Sequence, residues 1–195
     1  MVKLNSEMKA GTDAATFTDV QVNHVSQTIA KPNVVRRLNV VFLDIDGVLN
    51  TPENACKRYE GWKKGTDKSR DEFGQLFCPK ACLNLEYLCH TAEAKVVVSS
   101  TWRRAGLTKI QTMFQMRGID IDVIDITPDF RQRGLIQRGE EIEAWLKENE
   151  VDNYVIIDDD TDFLPEQLNN FVNTDFEDGF NWRCMVKALK ILMSK

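Results

Sequence analysis

Three short apolar runs that each end abruptly in polar residues constrain the fold of this chain most strongly. Their β-branched content is typical of buried parallel strands, which are covered on both faces. Helical patterns lie between the runs, and strands that alternate with helices predict an α/β fold with a parallel sheet. The runs cover residues 38–43 before Asp44, residues 94–98 before Ser99, and residues 154–157 before Asp158.

Two further strands and four helices complete the predicted order. The strands at residues 119–126 and 170–172 are weaker, because aspartates interrupt the first and the second is short. An early proline, a glycine after the last turn and acids in the first turn are typical boundary signals of helices. The sheet of about five strands is therefore flanked by helices. We predict helices over residues 79–89, 107–117, 139–149 and 182–193.

The length of 195 residues suits one domain with a tail. Residues 1–37 are polar and weakly periodic, and we interpret them as an arm that is partly disordered or loosely packed. Residues 38–195 form the predicted folded domain. Hydrophobic residues make up 43% and charged residues 28% of the chain, which excludes a collagenous or wholly disordered protein.

Neither a membrane span nor an export signal is visible. The sequence has no run of 18 apolar residues, and its first residues lack the apolar centre of a secretory signal. We therefore expect a cytoplasmic protein without membrane contact. The net charge of −5 argues against broad, nonspecific binding of polyanions but leaves room for a local basic patch.

The five cysteines are odd in number and irregularly spaced, which favours reduced thiols. A zinc site at Cys78, Cys82, Cys89 and His90 is one interpretation, but the paired spacing of common zinc sites is missing. We favour the alternative that these cysteines act as small buried hydrophobic residues.

Acidic side chains follow two of the predicted strands. Asp44 and Asp46 come after the first strand, and Asp158 and Asp159 come at the end of the fourth. Ligands bind beyond the carboxyl ends of strands in open α/β sheets, so these carboxylates should share one crevice. Close acids repel unless a cation lies among them, and hard oxygen ligands suit Mg²⁺. The alternative is that they only form turns and helix caps.

The stretch Asp44-Ile45-Asp46-Gly47-Val48-Leu49-Asn50 resembles the first motif of the haloacid dehalogenase (HAD) superfamily of phosphatases. Further stretches resemble its other motifs in the right order. Ser99 resembles the second motif, Arg138 the basic third motif, and Asp158-Asp159 the acidic fourth motif. The resemblance covers residues 38–190 and implies a HAD-like, Rossmann-type sheet.

A narrower resemblance rests on LDIDGVLN, VVVSSTWR, RGEEIEAWL and YVIIDDD. Together these are similar to the phosphatase domain of Swiss army knife RNA repair proteins. That domain type is similar to the 3′-phosphatase half of polynucleotide kinase-phosphatases. The third motif has Arg where Lys is commoner, and Arg131, Arg133 and Arg138 all compete for it.

The resemblance also implies roles for individual residues. Asp44 is the expected nucleophile that forms an aspartyl-phosphate, and Asp46 is the expected general acid and base. Ser99 is expected to hydrogen-bond a phosphoryl oxygen, and Arg138 to stabilise charge on the transferring group. The expected magnesium ligands are Asp44, the backbone carbonyl of Asp46, and Asp158, with Asp159 orienting a bound water. The expected substrate contacts are Gly47, Asn50, Ser100, Thr101 and Arg103.

The sequence leaves no room for a large cap domain over this crevice. Only about 45 residues separate Asn50 from Lys95, and they include a predicted helix. We expect a small flap at residues 51–77, and an open site admits a large substrate. The flap is locally basic and aromatic, which suits a single-stranded nucleic acid end, although a solvated loop explains it equally well.

The function predicted from the sequence is a Mg²⁺-dependent phosphatase that removes a phosphate, most simply a 3′-phosphate, from an RNA or DNA end during repair. A small-molecule nucleotidase and a non-catalytic phosphate-binding module are the alternatives. The presence of both Asp44 and Asp46 favours an enzyme, because a binding module needs no general acid at that spacing. We expect no obligate protein partner.

Overall fold

Five parallel strands form the central sheet of this protein. The structure is a computed structural model that describes residues 38–52, 70–130 and 138–194. The predicted arm and most of the predicted flap lie outside the described residues. The described strands are β1 (Asn39–Leu43), β2 (Arg70–Asp71), β3 (Gly74–Gln75), β4 (Ala94–Val98), β5 (Val123–Ile126), β6 (Asn153–Asp158) and β7 (Phe171–Asn173). The pair β2 and β3 forms a separate hairpin outside the central sheet.

The order of strands in the sheet is β5-β4-β1-β6-β7, and each neighbouring pair is parallel. The chain leaves β1 for β4 and β5 on one side and later returns to β6 and β7 on the other side. This reversal makes the carboxyl end of β1 a topological switch point, where open α/β sheets bind ligands.

Burial explains why β1 occupies the centre. All five of its residues, Asn39–Leu43, are buried, as expected for a strand that is covered on both faces. Its side chains alternate between two hydrophobic clusters: Val41 and Leu43 contribute to the larger one, and Val40 and Phe42 to the smaller one.

Helices cover both faces of the sheet. Residues of the first, second and fourth helices join the larger cluster, whereas Ile142 and Trp145 of the third helix join the smaller one. Trp145 packs edge-on against Phe42, with ring centroids 5.4 Å apart. The helices are α1 (Pro79–Ala92), α2 (Leu107–Met116), α3 (Arg138–Glu148) and α4 (Trp182–Met193).

The α/β fold class predicted from the sequence is confirmed, and the differences are shifted element ends and one short hairpin that was not predicted. The predicted strand at residues 119–126 begins only at Val123, because Asp120 and Asp122 lie before it and contact His90 and Lys95 at the surface. The last strand lies one residue later than predicted. The short β2–β3 hairpin had no clear sequence signal, since each of its strands has only two residues.

Within the described ranges, none of the helices has both the length and the apolar character that a membrane span requires.

Candidate active site

The carboxyl ends of β1 and β6 bring three aspartates together. Asp44 follows β1 directly, and its backbone N–H donates to the carbonyl of Ile157 at 3.0 Å. Asp158 is the last residue of β6, and Asp159 follows it. Carboxylate oxygens of Asp44, Asp158 and Asp159 all lie within 4.8 Å of one another. The sequence predicted this convergence.

Arg138, the first residue of α3, lies against two of these acids. Its Nη1 donates to Asp44 Oδ1 at 2.5 Å and to Asp158 Oδ2 at 2.7 Å. Its own backbone N–H donates to Asp162 Oδ2 at 2.9 Å, which fixes the start of the helix. Arg131 and Arg133, the competing candidates for the basic motif, lie outside the described residues.

Burial makes the charges of this cluster costly. Burial, and next the charge of Asp44, raises the pKa of Asp158 to about 8, although Arg138 opposes the shift. Burial likewise raises the pKa of Asp44 against the opposing effect of Arg138 and a hydrogen bond from Ser100. Burial alone would lower the pKa of Arg138, but the charges of Asp158 and Asp44 outweigh it and raise that pKa. One guanidinium thus contacts two of the three clustered carboxylates, and a further cation would be favourable.

Gly47 allows the chain to turn sharply beside the acids. Its φ is +75°, and a Cβ atom there would lie 2.3 Å from the Asp159 Cγ atom. Its N–H donates to the carbonyl of Asn50 at 2.8 Å, and its carbonyl accepts from the Thr174 hydroxyl at 3.0 Å. A side chain at this position would push the turn away from the acidic cluster.

Asp46 stands at the exposed side of the same turn. Its Oδ1 accepts a hydrogen bond from Asn50 Nδ2 at 2.9 Å. Its Oδ2 accepts one from Trp102 Nε1, also at 2.9 Å. Asp46 therefore remains accessible while both of its carboxylate oxygens are bound by side chains from the first and second motifs. The sequence did not predict the contact with Trp102.

Two consecutive serines, Ser99 and Ser100, follow β4, and they differ in what they contact. The Ser100 side chain hydrogen-bonds the carboxylate of Asp44. Ser99 is fully buried, and its hydroxyl has no hydrogen-bond partner among the described residues. The role of Ser99 toward a phosphoryl oxygen stays a prediction, whereas Ser100 already reaches the expected nucleophile. Thr101, the next residue, is exposed at the start of a short 3-10 helix, Thr101–Ala105.

Arg103, an expected substrate contact, is instead buried beneath the serines. Its Nη1 donates to the carbonyls of Ser99 at 2.7 Å and Ser100 at 3.1 Å. Its Nη2 donates to Glu141 Oε2 at 2.5 Å. This guanidinium holds the loop after β4 against α3. Glu141 was not found from the sequence, because an acid in the first turn of a helix is also explained by the helix dipole.

The donor set of the acidic cluster fits a magnesium ion. Asp44, Asp158 and Asp159 form the one group of three potential metal-binding side chains in the described part of the chain. Closely spaced carboxylate oxygens, two of them on buried residues with raised pKa values, are hard ligands that suit Mg²⁺. Cys78, Cys82, Cys89 and His90, the residues of the zinc interpretation, do not bring their potential ligand atoms together in such a group.

Fold and site together define the class of this protein. The sheet is parallel, and its switch point brings together the Asp44-x-Asp46 turn, the basic Arg138 and the acidic pair Asp158 and Asp159. This is the arrangement of a HAD-type hydrolase of the phosphatase kind.

The family within that class follows from a comparison with family models. The model described as the HAD domain in Swiss Army Knife RNA repair proteins matches residues 40–184, and the chain belongs to this family. The match extends from β1 into α4 and includes all four motifs, so the resemblance noted in the sequence is confirmed. A comparison with curated proteins gave no match.

Proposed function

We propose that this protein is a Mg²⁺-dependent phosphomonoesterase that removes a terminal phosphate through an aspartyl-phosphate on Asp44. The observation that carries the proposal is the shared position of three acidic carboxylates and the Arg138 guanidinium at the end of β1. Asp46, only two residues from Asp44, supplies the second carboxylate that acid–base chemistry requires.

The metal would be held by the carboxylates of Asp44 and Asp158, by the backbone carbonyl of Asp46 and, through a water, by Asp159. When bound, Mg²⁺ offsets the repulsion between the anionic nucleophile and the anionic phosphate. Among the described residues, Arg138 lies at this cluster, and its guanidinium would neutralise part of the charge on the transferring phosphoryl group.

In the first step, a carboxylate oxygen of Asp44 forms a bond to phosphorus as the bond from phosphorus to the leaving oxygen breaks. Asp46, in its protonated form, donates its proton to that oxygen, and an alcohol leaves. Ser100, which hydrogen-bonds the Asp44 carboxylate, orients the nucleophile for this attack. The product of the step is an aspartyl-phosphate, the mixed anhydride of the Asp44 carboxyl group and phosphate.

In the second step, a water molecule attacks the same phosphorus atom. Asp46, now a carboxylate, accepts the proton of this water, and the bond from phosphorus to the Asp44 oxygen breaks. Inorganic phosphate leaves, Asp44 is again a carboxylate, and Asp46 again carries a proton. Asp44 and Asp46 thereby return to the protonation states that they had before the first step.

The substrate that we propose is the 3′-phosphorylated end of a nucleic acid. The family's description as a domain of RNA repair proteins supports a nucleic acid end over a free nucleotide. The basic and aromatic composition of residues 57–73 supports the same class of substrate, although most of that segment lies outside the described residues.

A panel of phosphate esters with and without Mg²⁺ tests this proposal. It contains a 3′-phosphorylated RNA oligonucleotide, its DNA counterpart, a free 3′-nucleotide and p-nitrophenyl phosphate. We expect release of inorganic phosphate that EDTA abolishes, with the highest kcat/KM on an oligonucleotide. Preference for the free nucleotide would indicate the nucleotidase, and binding without release from any ester would indicate a non-catalytic module.

A further inference from the structure

Asp46 is held by a donor that comes from a distant part of the chain. Asn50, which donates to one of its oxygens, belongs to the same turn, but Trp102 follows β4, 56 residues away in sequence. An exposed carboxylate without such contacts would sample several rotamers. The indole therefore restricts the orientation of the group that we assign to proton transfer.

Trp102 is itself fixed by packing. Its ring lies edge-on against the buried Phe77, with centroids 5.9 Å apart, and Phe77 in turn contacts Phe114. Its backbone N–H donates to the Ser100 hydroxyl oxygen at 3.4 Å. The position of the indole N–H is thus set by the core and by the loop that also presents Ser100 to Asp44.

The chemistry of the indole suits this task. Its N–H is a neutral donor that neither accepts a hydrogen bond nor titrates near neutral pH. It can orient a carboxyl group without competing with it for the proton. Because the indole N–H donates to Oδ2, it limits the directions in which the Asp46 carboxyl can present its proton.

We propose that Trp102 is a positioning residue for proton transfer by Asp46, an inference that rests on the proposed function. Positioning of the acid matters most when the leaving oxygen is strongly basic, as in a sugar hydroxyl. It matters little when the leaving group is a nitrophenolate, which departs without a proton. Loss of the indole N–H therefore affects esters of alcohols selectively.

The test compares kcat/KM of Trp102→Phe with that of the wild type on two esters, in Mg²⁺. The substrates are a 3′-phosphorylated oligonucleotide, or glycerol 2-phosphate if the oligonucleotide is not hydrolysed, and p-nitrophenyl phosphate. We expect a loss of about 10–100-fold for the alcohol ester and less than about threefold for the aryl ester, because general acid catalysis contributes about 10²–10⁴-fold in total. Asp46→Asn should show the same selectivity with a larger loss.

A matched control is Trp182→Phe, which alters an exposed tryptophan on α4 and should change neither value. If Trp102→Phe does not fold at the assay temperature, Trp102→Met, which fills the space flexibly, replaces it. Equal losses on both esters, or no loss, overturn the positioning role while the wild-type activity upholds the proposed function. A wild type that hydrolyses neither ester overturns both.

Discussion

Asp158 shows how a single residue links metal binding to pH. Its side chain is fully buried, and its pKa is raised from an ordinary value of 3.8 to about 8, chiefly by burial and by the charge of Asp44. Between these two pH values the folded, metal-free protein binds more protons than the unfolded chain. The free energy of unfolding therefore falls as the pH rises through this range.

From this we predict that stabilisation by Mg²⁺ grows with pH. A divalent cation must displace the proton of Asp158, so its apparent affinity should rise from pH 5.5 and level off above pH 8. Thermal unfolding with and without saturating Mg²⁺ measures the effect, with Ca²⁺ as a second cation. A shift in Tm that is the same at pH 5.5 and pH 8 would contradict the site.

Gly47 offers a second prediction at the scale of the residue. Gly47→Ala places a Cβ 2.3 Å from Asp159 Cγ, whereas Gly118 has a similar φ, +67°, and nothing within 4 Å of a Cβ. Both changes should cost about 1 kcal/mol of backbone strain. Only Gly47→Ala should also lower kcat and weaken Mg²⁺ binding, because it displaces Asp159. Steady-state kinetics and magnesium titration compare the kcat and the Mg²⁺ affinity of the two variants. Similar values for both would contradict the claim that Gly47 keeps the turn clear of Asp159.

The buried ion pair between Arg103 and Glu141 joins two elements of the site. Both side chains are at most 5% exposed, and Glu141 also accepts the backbone N–H of Phe130 at 2.9 Å. The pair fixes the loop after β4 relative to α3, which carries Arg138. It therefore connects the elements of the second and third motifs.

Removal of Glu141 should leave the buried Arg103 charge beside a more distant carboxylate, Asp129, whose Oδ1 lies 3.7 Å from Nη2. We predict that Glu141→Ala lowers the free energy of unfolding by up to about 3–5 kcal/mol, the usual cost of breaking a buried ion pair. Glu143→Ala, on the same helix, removes an exposed pair with Lys147 and should change it by less than about 0.5 kcal/mol. Urea denaturation measures both changes. Comparable midpoints for the two variants would show that the buried pair contributes little.

At the scale of the elements, the sequence predicted the strands that are mostly apolar and located the other strands less accurately. β1, β4 and β6 were found because they are buried on both faces, so their runs contain few polar residues. The start of β5 was misplaced, because the acids at positions 120 and 122 alternate with isoleucines just as a half-buried strand would. Helix bounds were found within three residues, from proline and glycine signals.

Individual contacts in the site were harder to predict than the elements. The sequence placed Asp44 and Asp158 in one crevice because strand ends in a parallel sheet share an edge. Arg138 was assigned from the family resemblance, with Arg131 and Arg133 as competing candidates. The sequence assigned Ser99 to a phosphoryl oxygen and Ser100 to substrate binding, and it did not predict that Ser100 contacts Asp44, since that contact depends on the backbone after β4. It also gave Arg103 a role toward substrate, because the burial of a guanidinium depends on a partner, Glu141, that lies 38 residues away.

At the scale of the whole molecule, the sheet reverses its strand order at β1, and this places the acids from β1 and β6 side by side. The same core therefore supports the fold and aligns the site. Substitution of the Asp44 carboxylate by its amide keeps the shape of this site but removes the nucleophile that we propose. Asp44→Asn should fold normally, because it also relieves the repulsion between Asp44 and Asp158.

Hydrolysis by Asp44→Asn in the presence of Mg²⁺ tests the central claim most directly. Asp122→Asn, a change in a surface ion pair with Lys95, is the matched control. We predict that Asp44→Asn retains the circular dichroism spectrum of the wild type and loses roughly 10⁴-fold in kcat, as expected when a nucleophile is removed, while Asp122→Asn keeps full activity. An Asp44→Asn protein that folds and keeps most of its Mg²⁺-dependent activity would contradict the account.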